Sequence, residues 1–212
     1  MRAIFLDRDG VICENRADHV KAWDEFRFLP GVLSGLADVA RAGFVTVVVT
    51  NQAIINRSVV PAEAVHDIHR RMLDSVRRAG GRIDRVMVCP HRPDERCTCR
   101  KPQPGLLLQA AAEMHIDLSR SYMIGDATSD IQAGLAAGCA CFMVMTGRGT
   151  KQAAQTYAQA LPGVRYARDL KHAVQMTFFL ETFGDNHPAL IQAARPPLTR
   201  PLTLPVLHSH AL

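Results

Sequence analysis

The sequence predicts an α/β fold, a doubly wound parallel sheet with helices on both faces. Short apolar segments alternate with segments of helical periodicity along most of the 212 residues, and such alternation builds βαβ units with right-handed crossovers. The clearest strand, residues 44–50, is apolar and β-branched on both faces, as expected of a central parallel strand covered by helices. Several strands run directly into polar residues.

The first half of the chain predicts two strands and two helices. A short apolar run at residues 3–6 predicts the first strand. A helix is expected over about residues 32–42, because apolar side chains share one face and Gly43 follows as a stop. Beyond the strand at 44–50, Pro61 begins a helix with a long apolar face that ends at a glycine pair.

The second half predicts three more strands. Residues 85–89 form the third strand and are followed by a loop rich in Pro and Cys. Pro104 opens a helix that runs to about Met114. The fourth and fifth strands are expected at residues 121–124 and 141–145, with a helix between them.

Composition limits the class of protein. Hydrophobic residues make up 48% and charged residues 21%, which is ordinary for a globular domain. No apolar run approaches the roughly 20 residues that cross a bilayer, and no signal-peptide pattern precedes the first strand, so we expect a cytoplasmic protein with no membrane contact. The net charge is +5, but the basic residues are scattered, and we expect no nucleic-acid partner.

The character of the sequence changes near its C-terminal end. Residues 184–212 contain five prolines and no sustained periodicity. We therefore predict one domain over residues 1–183 and a Pro-rich tail over 184–212 that is extended or disordered. Contact of this tail with a partner or another subunit is left open.

Two acids follow the first strand, and we expect them to hold a cation. Asp7 and Asp9 are one residue apart where the chain begins to turn, so both can reach one point. Like charges so close repel, and a hard ion such as Mg²⁺ relieves the repulsion. Gly10 leaves room for a close approach of the backbone. Taken alone, this motif is as compatible with a helix or turn cap that makes a surface ion pair as it is with a cation site.

Other polar groups are expected at the same edge of the sheet, because ligands of such sheets bind beyond the carboxyl ends of the strands. The second strand ends in Thr50, Asn51 and Gln52, which can donate hydrogen bonds to a phosphoryl oxygen. Lys101 can neutralise phosphate charge, and the preceding Arg100 can grip a second anionic group. Asp126 follows the fourth strand and can complete the cation site, and a further carboxylate, Asp130, lies one helical turn later.

A cluster of soft ligands predicts a second metal. Cys89, His91, Cys97 and Cys99 supply three thiolates and an imidazole within eleven residues, a set that matches a closed, structural zinc site in a reducing compartment. The zinc is expected to brace its loop and aim Arg100 at the substrate. Other histidines are expected to be solvated or to cap helices: His66, His69 and His115.

The order Asp-x-Asp-Gly, strand–Thr, Lys-Pro and Gly-Asp-x-x-x-Asp resembles the haloacid-dehalogenase-like phosphohydrolases over about residues 1–150. The resemblance implies that Asp7 is a nucleophile forming an aspartyl-phosphate and that Asp9 is the general acid and base. It also implies that Thr50 and Lys101 bind the transferring phosphoryl group. Mg²⁺ would be held by Asp7, Asp126 and the backbone carbonyl of Asp9.

Within this superfamily, the zinc loop followed by Cys-Arg-Lys-Pro resembles the branch of D-glycero-D-manno-heptose 1,7-bisphosphate phosphatase and histidinol-phosphate phosphatase. The Pro104-Gly105 pair is closest to the heptose enzymes. This branch implies a capless core, a small phosphorylated sugar as substrate, and Arg100 on a remote phosphate or hydroxyl. Asn51, Gln52 and Arg57 are further expected substrate contacts.

The sequence departs from the heptose enzymes on the substrate side. Residues 53–58 lack two glycines that are typical of those enzymes, although Arg57 persists, and Ala127 stands where a polar or basic residue is common. Three alternatives therefore accompany a heptose bisphosphatase: a histidinol-phosphate phosphatase, a nucleic-acid 3′-phosphatase, and a non-catalytic zinc-bearing interaction module.

Overall fold

A computed structural model describes residues 1–159, 161 and 163–184 of the chain. Six parallel strands form one sheet in the order β3-β2-β1-β4-β5-β6, with helices on both faces. The predicted doubly wound α/β fold is confirmed. The predicted tail lies almost entirely outside the described residues, and its separation from the domain stays a prediction.

The bounds of the elements follow the predicted order. The strands are β1 (Ala3–Leu6), β2 (Val45–Asn51), β3 (Arg85–Cys89), β4 (Tyr122–Gly125), β5 (Ala140–Val144) and β6 (Val164–Ala167). The helices are α1 (Val32–Arg41), α2 (Ala62–Arg78), α3 (Gly105–Met114), α4 (Thr128–Ala136), α5 (Gly149–Ala158) and α6 (Leu170–Phe183).

The five expected strands are present, each displaced by no more than one residue at either end. Sequence patterns did not predict α5, β6 and α6. The strand β6 has four residues, includes an arginine and lies at the edge of the sheet, so it lacks the apolar run of a central strand. The helix α5 has the sequence GTKQAAQTYA, with too few large apolar side chains to show helical periodicity.

The alternation of side chains along the strands gives the domain two hydrophobic cores. Ile4 and Leu6 of β1 lie in the core that includes residues of α1, α2 and α6. Ala3 and Phe5 lie in the opposite core, with residues of α3 and α4. Because side chains alternate between the faces of a strand, the residues that follow β1 also alternate, and this separates Asp7 from Arg8.

The order of the sheet fixes where a ligand can bind. The chain adds β2 and β3 on one side of β1, and then β4, β5 and β6 on the other. The crevice at such a reversal lies between β1 and β4, beyond their carboxyl ends. The backbone N–H of Asp7 donates to the carbonyl of Ile124 at 3.1 Å, so the ends of the two strands are level at this point.

The described part of the chain carries no cap domain, since its strands and helices are joined by loops and single 3₁₀ turns. The loop after β1 instead packs on the sheet, and Val20, Trp23 and Phe26 join the core on the α1 side. Among the described residues, no helix has both the length and the apolar character needed to cross a membrane.

Candidate active site

Three carboxylates meet at the reversal of the sheet. Asp7 follows β1, Asp126 follows β4, and Asp130 lies in the first turn of α4, with one oxygen of each within 4.8 Å of the others. All three are buried. The backbone N–H of Ala127 donates to Asp130 Oδ2 at 3.0 Å, which fixes this carboxylate at the helix start.

Lys101 supplies the positive charge that faces these acids. Its Nζ lies 2.8 Å from Asp7 Oδ1 and 2.6 Å from Asp130 Oδ1, and it donates to the carbonyl of Val49 at 2.7 Å. The lysine is almost fully buried. Burial alone would lower the pKa of its ammonium group, but Asp130 and Asp7 outweigh this effect and raise the pKa to about 12. Lys101 is therefore charged at neutral pH.

One lysine does not balance three acids. Burial raises the pKa of Asp7 to about 7, with repulsion from Asp130, Asp126 and Asp9 adding to the effect and Lys101 opposing it. Burial, together with repulsion from Asp130, also raises the pKa of Asp126 to about 6. The cluster thus carries excess negative potential, which a divalent cation would relieve.

The donor set and its surroundings fit Mg²⁺. All the candidate ligands are oxygens, which this hard ion prefers. Asp126 Oδ1 is buried and accepts no hydrogen bond, so it has a free lone pair. A Cβ on Gly10 or Gly147 would overlap the Asp126 carboxylate, and both glycines have positive φ. The sequence suggested that Gly10 makes room for a ligand, but in the structure Gly10 also makes room for the Asp126 carboxylate.

Two charged residues of this centre were not identified as site residues from the sequence. Asp130 was noted only for its spacing, yet it is the third member of the cluster. Arg148 belongs to the segment 147–151, which was expected at most to line the entrance of the site: its backbone N–H donates to Asp126 Oδ2 at 2.7 Å, and its guanidinium lies 3.6 Å from Asp126 Oδ1. The only sequence signal for Arg148 was its place just beyond a strand end.

Asp9 lies beside the cluster but turns its carboxylate to other partners. Arg8 donates to it through Nη2 at 3.0 Å and Nε at 3.2 Å, and Gln52 Nε2 donates at 2.8 Å. Burial raises the pKa of Asp9, but the Arg8 charge and these hydrogen bonds outweigh it, so the pKa lies below the usual value. The carboxylates that lie close enough together to share a metal ion are those of Asp7, Asp126 and Asp130, without that of Asp9. The backbone carbonyl of Asp9 stays a predicted Mg²⁺ ligand.

The polar residues at the end of β2 make hydrogen bonds mainly to other groups of the protein. Thr50 and Gln52 are buried, and Gln52 Nε2 donates to Thr50 Oγ1 at 2.8 Å as well as to Asp9. The Asn51 side chain exchanges two hydrogen bonds of 3.1 Å with the backbone of Lys101. Asn51 therefore fixes the lysine loop and Gln52 orients Asp9, and contact of either side chain with substrate stays a prediction.

A cavity of about 440 Å³ opens above these groups. Its wall contains acids and polar residues of the centre together with several cations: Asp7, Asp9, Thr50, Asn51, Lys101 and Asp130, with Asn15, Arg16, His19, Arg100, Ser129 and Arg148. The predicted contact residue Arg100 lies in this wall. Arg57 is exposed and does not line the cavity, so the structure does not bring it to the site.

The four soft ligands also come together. Neighbouring donor atoms of Cys89, His91, Cys97 and Cys99 lie 3.2–3.7 Å apart, close to the about 3.8 Å edge of a tetrahedron with zinc–sulfur bonds of about 2.3 Å. The described thiols are all free of disulfides. This cluster fits zinc.

The zinc-type loop is joined to the cavity through its neighbours. Arg100 Nη1 donates to the carbonyl of His91 at 3.0 Å. The N–H of Gly105 donates to the carbonyl of Thr98 at 3.2 Å, and a Cβ on this glycine would overlap that carbonyl. The loop therefore packs directly on the start of α3, and its His91 carbonyl accepts a hydrogen bond from Arg100.

Comparison with known proteins gives consistent relatives. Residues 98–173 match the HAD-hydrolase-like family. The chain is 39% identical over 171 residues to the D-glycero-beta-D-manno-heptose-1,7-bisphosphate 7-phosphatase of Bordetella bronchiseptica, which covers 80% of this chain and 94% of that protein. The enzyme of the same name from Yersinia pestis is 42% identical over 144 residues, covering 64% of this chain and 75% of that protein.

Solved structures agree with these sequence matches. The crystal structure of the D,D-heptose 1,7-bisphosphate phosphatase from B. bronchiseptica, complexed with magnesium and phosphate, has a TM-score of 0.80 at 37% identity and covers 84% of this chain and 99% of that one. The Burkholderia thailandensis enzyme has a TM-score of 0.65 at 32% identity, with the same coverage. The chain thus belongs to the haloacid-dehalogenase-like phosphatases, in the family of these heptose bisphosphate phosphatases.

Proposed function

We propose that this protein is a magnesium-dependent phosphatase that removes the 7-phosphate of D-glycero-β-D-manno-heptose 1,7-bisphosphate. The observation that carries the proposal is the meeting of Asp7, Asp126 and Asp130 in one buried cluster, with Lys101 bound to Asp7 and Asp130. The relatives named for this reaction support the choice of substrate.

The first step is the attack of Asp7 on phosphorus. One oxygen of the Asp7 carboxylate forms a bond to phosphorus while the bond from phosphorus to the sugar oxygen breaks. Lys101 and Thr50 bind the oxygens of the transferring group and oppose their charge. Asp9 gives a proton to the departing sugar oxygen. Since its pKa is low in the free protein, we infer that Asp9 gains this proton from the incoming phosphate monoanion.

The second step returns the protein to its starting state. A water molecule attacks the phosphorus of the aspartyl-phosphate, and the Asp9 carboxylate takes the proton of that water. The bond between phosphorus and Asp7 breaks, which frees the Asp7 carboxylate, and Asp9 passes its proton to the inorganic phosphate, which leaves as the monoanion. The same residue thus serves first as acid and then as base.

The ion that fits the acidic cluster is held in this proposal by Asp7, Asp126 and the backbone carbonyl of Asp9, with Asp130 beside them. Mg²⁺ supplies charge neutralisation, which lets a carboxylate approach an anionic phosphoryl group. Asp130 fixes Lys101 and the start of α4, and Arg148 holds Asp126 from the opposite side.

The second anionic group of the substrate needs cations at the mouth of the cavity. Arg100, Arg148 and Arg16 all lie in its wall, and Arg100 offers a planar fork suited to phosphate. The free thiols of the zinc-type cluster favour a reducing compartment, and a cytoplasmic location is part of the proposal.

The test is a phosphate-release assay with Mg²⁺ over a panel of phosphorylated compounds. We expect kcat/KM for the heptose bisphosphate to exceed that for histidinol phosphate by about 100-fold or more, because a site built for two phosphates leaves its cations unpaired with one. Phosphorus NMR should show the heptose 1-phosphate as product. Equal rates on both compounds would refute the substrate, and release only from 3′-phosphorylated oligonucleotides would favour the nucleic-acid alternative. No release from any compound would favour the non-catalytic module.

A further inference from the structure

We propose that Arg8 and His69 are positioning residues that hold the Asp9 carboxylate in place for proton transfer. The inference rests on the proposed function, because it concerns the acid and base of that reaction. Neither residue lines the cavity of about 440 Å³, so both act on Asp9 from the interior of the protein.

The Arg8 side chain is completely buried, with an exposed fraction of 0%. Alternation along the end of β1 turns it away from Asp7, toward the core that α2 covers. Its charge is paired with Asp9 alone among the ion pairs of the described residues, at 3.0 Å. A buried guanidinium left without a counter-charge is strongly unfavourable, so Arg8 restrains Asp9 from leaving this position.

The geometry of the pair also fixes the direction of the carboxylate. Arg8 reaches both Asp9 oxygens through Nη2 and one of them through Nε. Gln52 donates to Asp9 Oδ2 from the β2 side. The Asp9 side chain keeps 20% of its surface exposed and lines the cavity. Arg8 and Gln52 thus hold the Asp9 carboxylate from the protein interior, while part of this carboxylate faces the cavity.

His69 holds the far end of the guanidinium. It is a buried residue of α2, and its Nε2 lies 3.0 Å from Arg8 Nη1. Arginine can only donate, so Nε2 accepts and carries no proton. Burial, with the Arg8 charge adding to it, lowers the pKa of His69 to about 3, which agrees with a neutral ring. The expectation of a solvated or capping His69 was therefore wrong, because the register of α2 against β1 is set by tertiary packing.

The chain from His69 through Arg8 to Asp9 predicts a specific defect. If His69 cannot accept, Arg8 Nη1 loses a buried partner and the guanidinium shifts, which moves the Asp9 carboxylate. A shift of about 1 Å can cost about 100-fold in rate. The loss should fall on the proton donation and not on binding, because neither positioning residue touches the substrate space.

The test compares two substrates with different leaving groups in the first turnover, measured by rapid quench with Mg²⁺. The heptose bisphosphate needs a proton on its sugar oxygen, whereas p-nitrophenyl phosphate releases a stable anion without one. We expect His69→Leu to slow the first turnover of the sugar bisphosphate by about 10- to 100-fold, with KM within about twofold of the starting protein. On p-nitrophenyl phosphate the same step should change by less than about twofold.

Three variants make the comparison specific. His69→Gln supplies an amide oxygen near the position of Nε2 and should recover most of the rate. His66→Leu changes an exposed histidine of the same helix and should leave both substrates unaffected. Arg8→Met removes the guanidinium together with its buried charge, so it tests the same contact if His69→Leu unfolds, and it should reproduce the selective loss.

Asp9→Asn separates failure of the inference from failure of the proposed function. If Asp9→Asn leaves hydrolysis of the sugar bisphosphate intact, or if the unaltered protein does not hydrolyse it, the proposed chemistry is refuted and the inference with it. If Asp9→Asn is selective for the sugar substrate but the folded His69→Leu or Arg8→Met protein is not, the inference alone is overturned. Equal losses on both substrates in either variant would also overturn it, because they indicate a structural role only.

Discussion

The two metal-type clusters of this protein are built in opposite ways. The carboxylates Asp7, Asp126 and Asp130 come from opposite halves of the chain and meet only because β1 and β4 are neighbours in the sheet. Cys89 ends β3, and His91, Cys97 and Cys99 lie in the loop that joins this strand to α3. The acidic cluster therefore depends on the whole fold, whereas the thiol cluster organises a segment that has little core of its own.

The clusters also differ in what surrounds them. The acids are buried against Lys101, and burial, with repulsion between the acids adding to it, raises the pKa values of Asp7 and Asp126. The thiol cluster is partly exposed except for Cys89, and Arg100, which lines the cavity, donates to the carbonyl of His91 in this cluster. We therefore infer that the acidic cluster carries out catalysis and that the thiol cluster supports a loop. Each prediction below tests this difference in role.

The largest expected effect is the loss of turnover in Asp7→Asn. An amide is a poor nucleophile, so we expect kcat to fall by about 10⁴-fold or more, while zinc content and the thermal unfolding midpoint in the presence of zinc stay close to those of the unaltered protein. Asp38→Asn, which changes an acid on α1, serves as the control and should keep full activity. Substantial hydrolysis by Asp7→Asn would refute the nucleophile assignment.

Replacement of Lys101 should be the next most damaging change. Lys101→Met removes the charge that faces Asp7 and Asp130, and the loss of such a group is expected to lower kcat by about 10²- to 10³-fold. Steady-state kinetics with saturating Mg²⁺ measure this, with Lys151→Met on the exposed side of α5 as the control. A change confined to KM would contradict a role for Lys101 in the transfer itself.

The thiol cluster should affect binding more than chemistry. Cys97→Ser removes one zinc ligand, and we expect zinc content measured by elemental analysis to fall and KM to rise about tenfold, equal to about 1.4 kcal/mol of binding free energy. The value of kcat should change much less, since Arg100 is loosened while Asp7 and Lys101 stay in place. Cys139→Ala, at a buried cysteine outside the cluster, should retain its zinc. A collapse of kcat with unchanged KM would make this cluster catalytic and remove the distinction.

The smallest effect concerns Mg²⁺ and pH. Because folding raises the pKa of Asp7 to about 7 and that of Asp126 to about 6, the folded state binds protons that the unfolded chain has released. The free energy of unfolding of the magnesium-free protein should therefore fall as pH rises from about 4 to about 7. Scanning fluorimetry should show a larger stabilisation by Mg²⁺ at pH 8 than at pH 5. An equal shift at both values would contradict the excess negative charge of the cluster.

Part of the acidic site could be predicted from the sequence, because Asp7 and Asp126 directly follow apolar strands. Asp7, Asp126 and Lys101 were all expected at one edge of the sheet, and the structure places them there. The zinc-type cluster was predictable from spacing alone, since its four ligands lie in one short segment. The doubly wound sheet followed from the alternation of strands with helices.

The contacts that the sequence did not reveal depend on tertiary packing. Nothing in the spacing places His69 against Arg8, because that requires the register of α2 on the sheet. Gln52 was expected on the substrate, yet the turn after β2 directs it to Asp9. Arg148 reaches Asp126 because Gly147 permits a close approach of the two loops. Such contacts join segments that have no fixed distance along the chain.

The most direct test of the central claim is to trap the phosphorylated protein. The protein is mixed with substrate and Mg²⁺, quenched in acid within the first turnover, and reduced with borohydride, which converts an aspartyl-phosphate to homoserine with release of phosphate. Peptide mass spectrometry should then find homoserine at the position of Asp7 and nowhere else. Homoserine at another aspartate, or none at all while phosphate is being released, would contradict the assignment of Asp7 as the nucleophile.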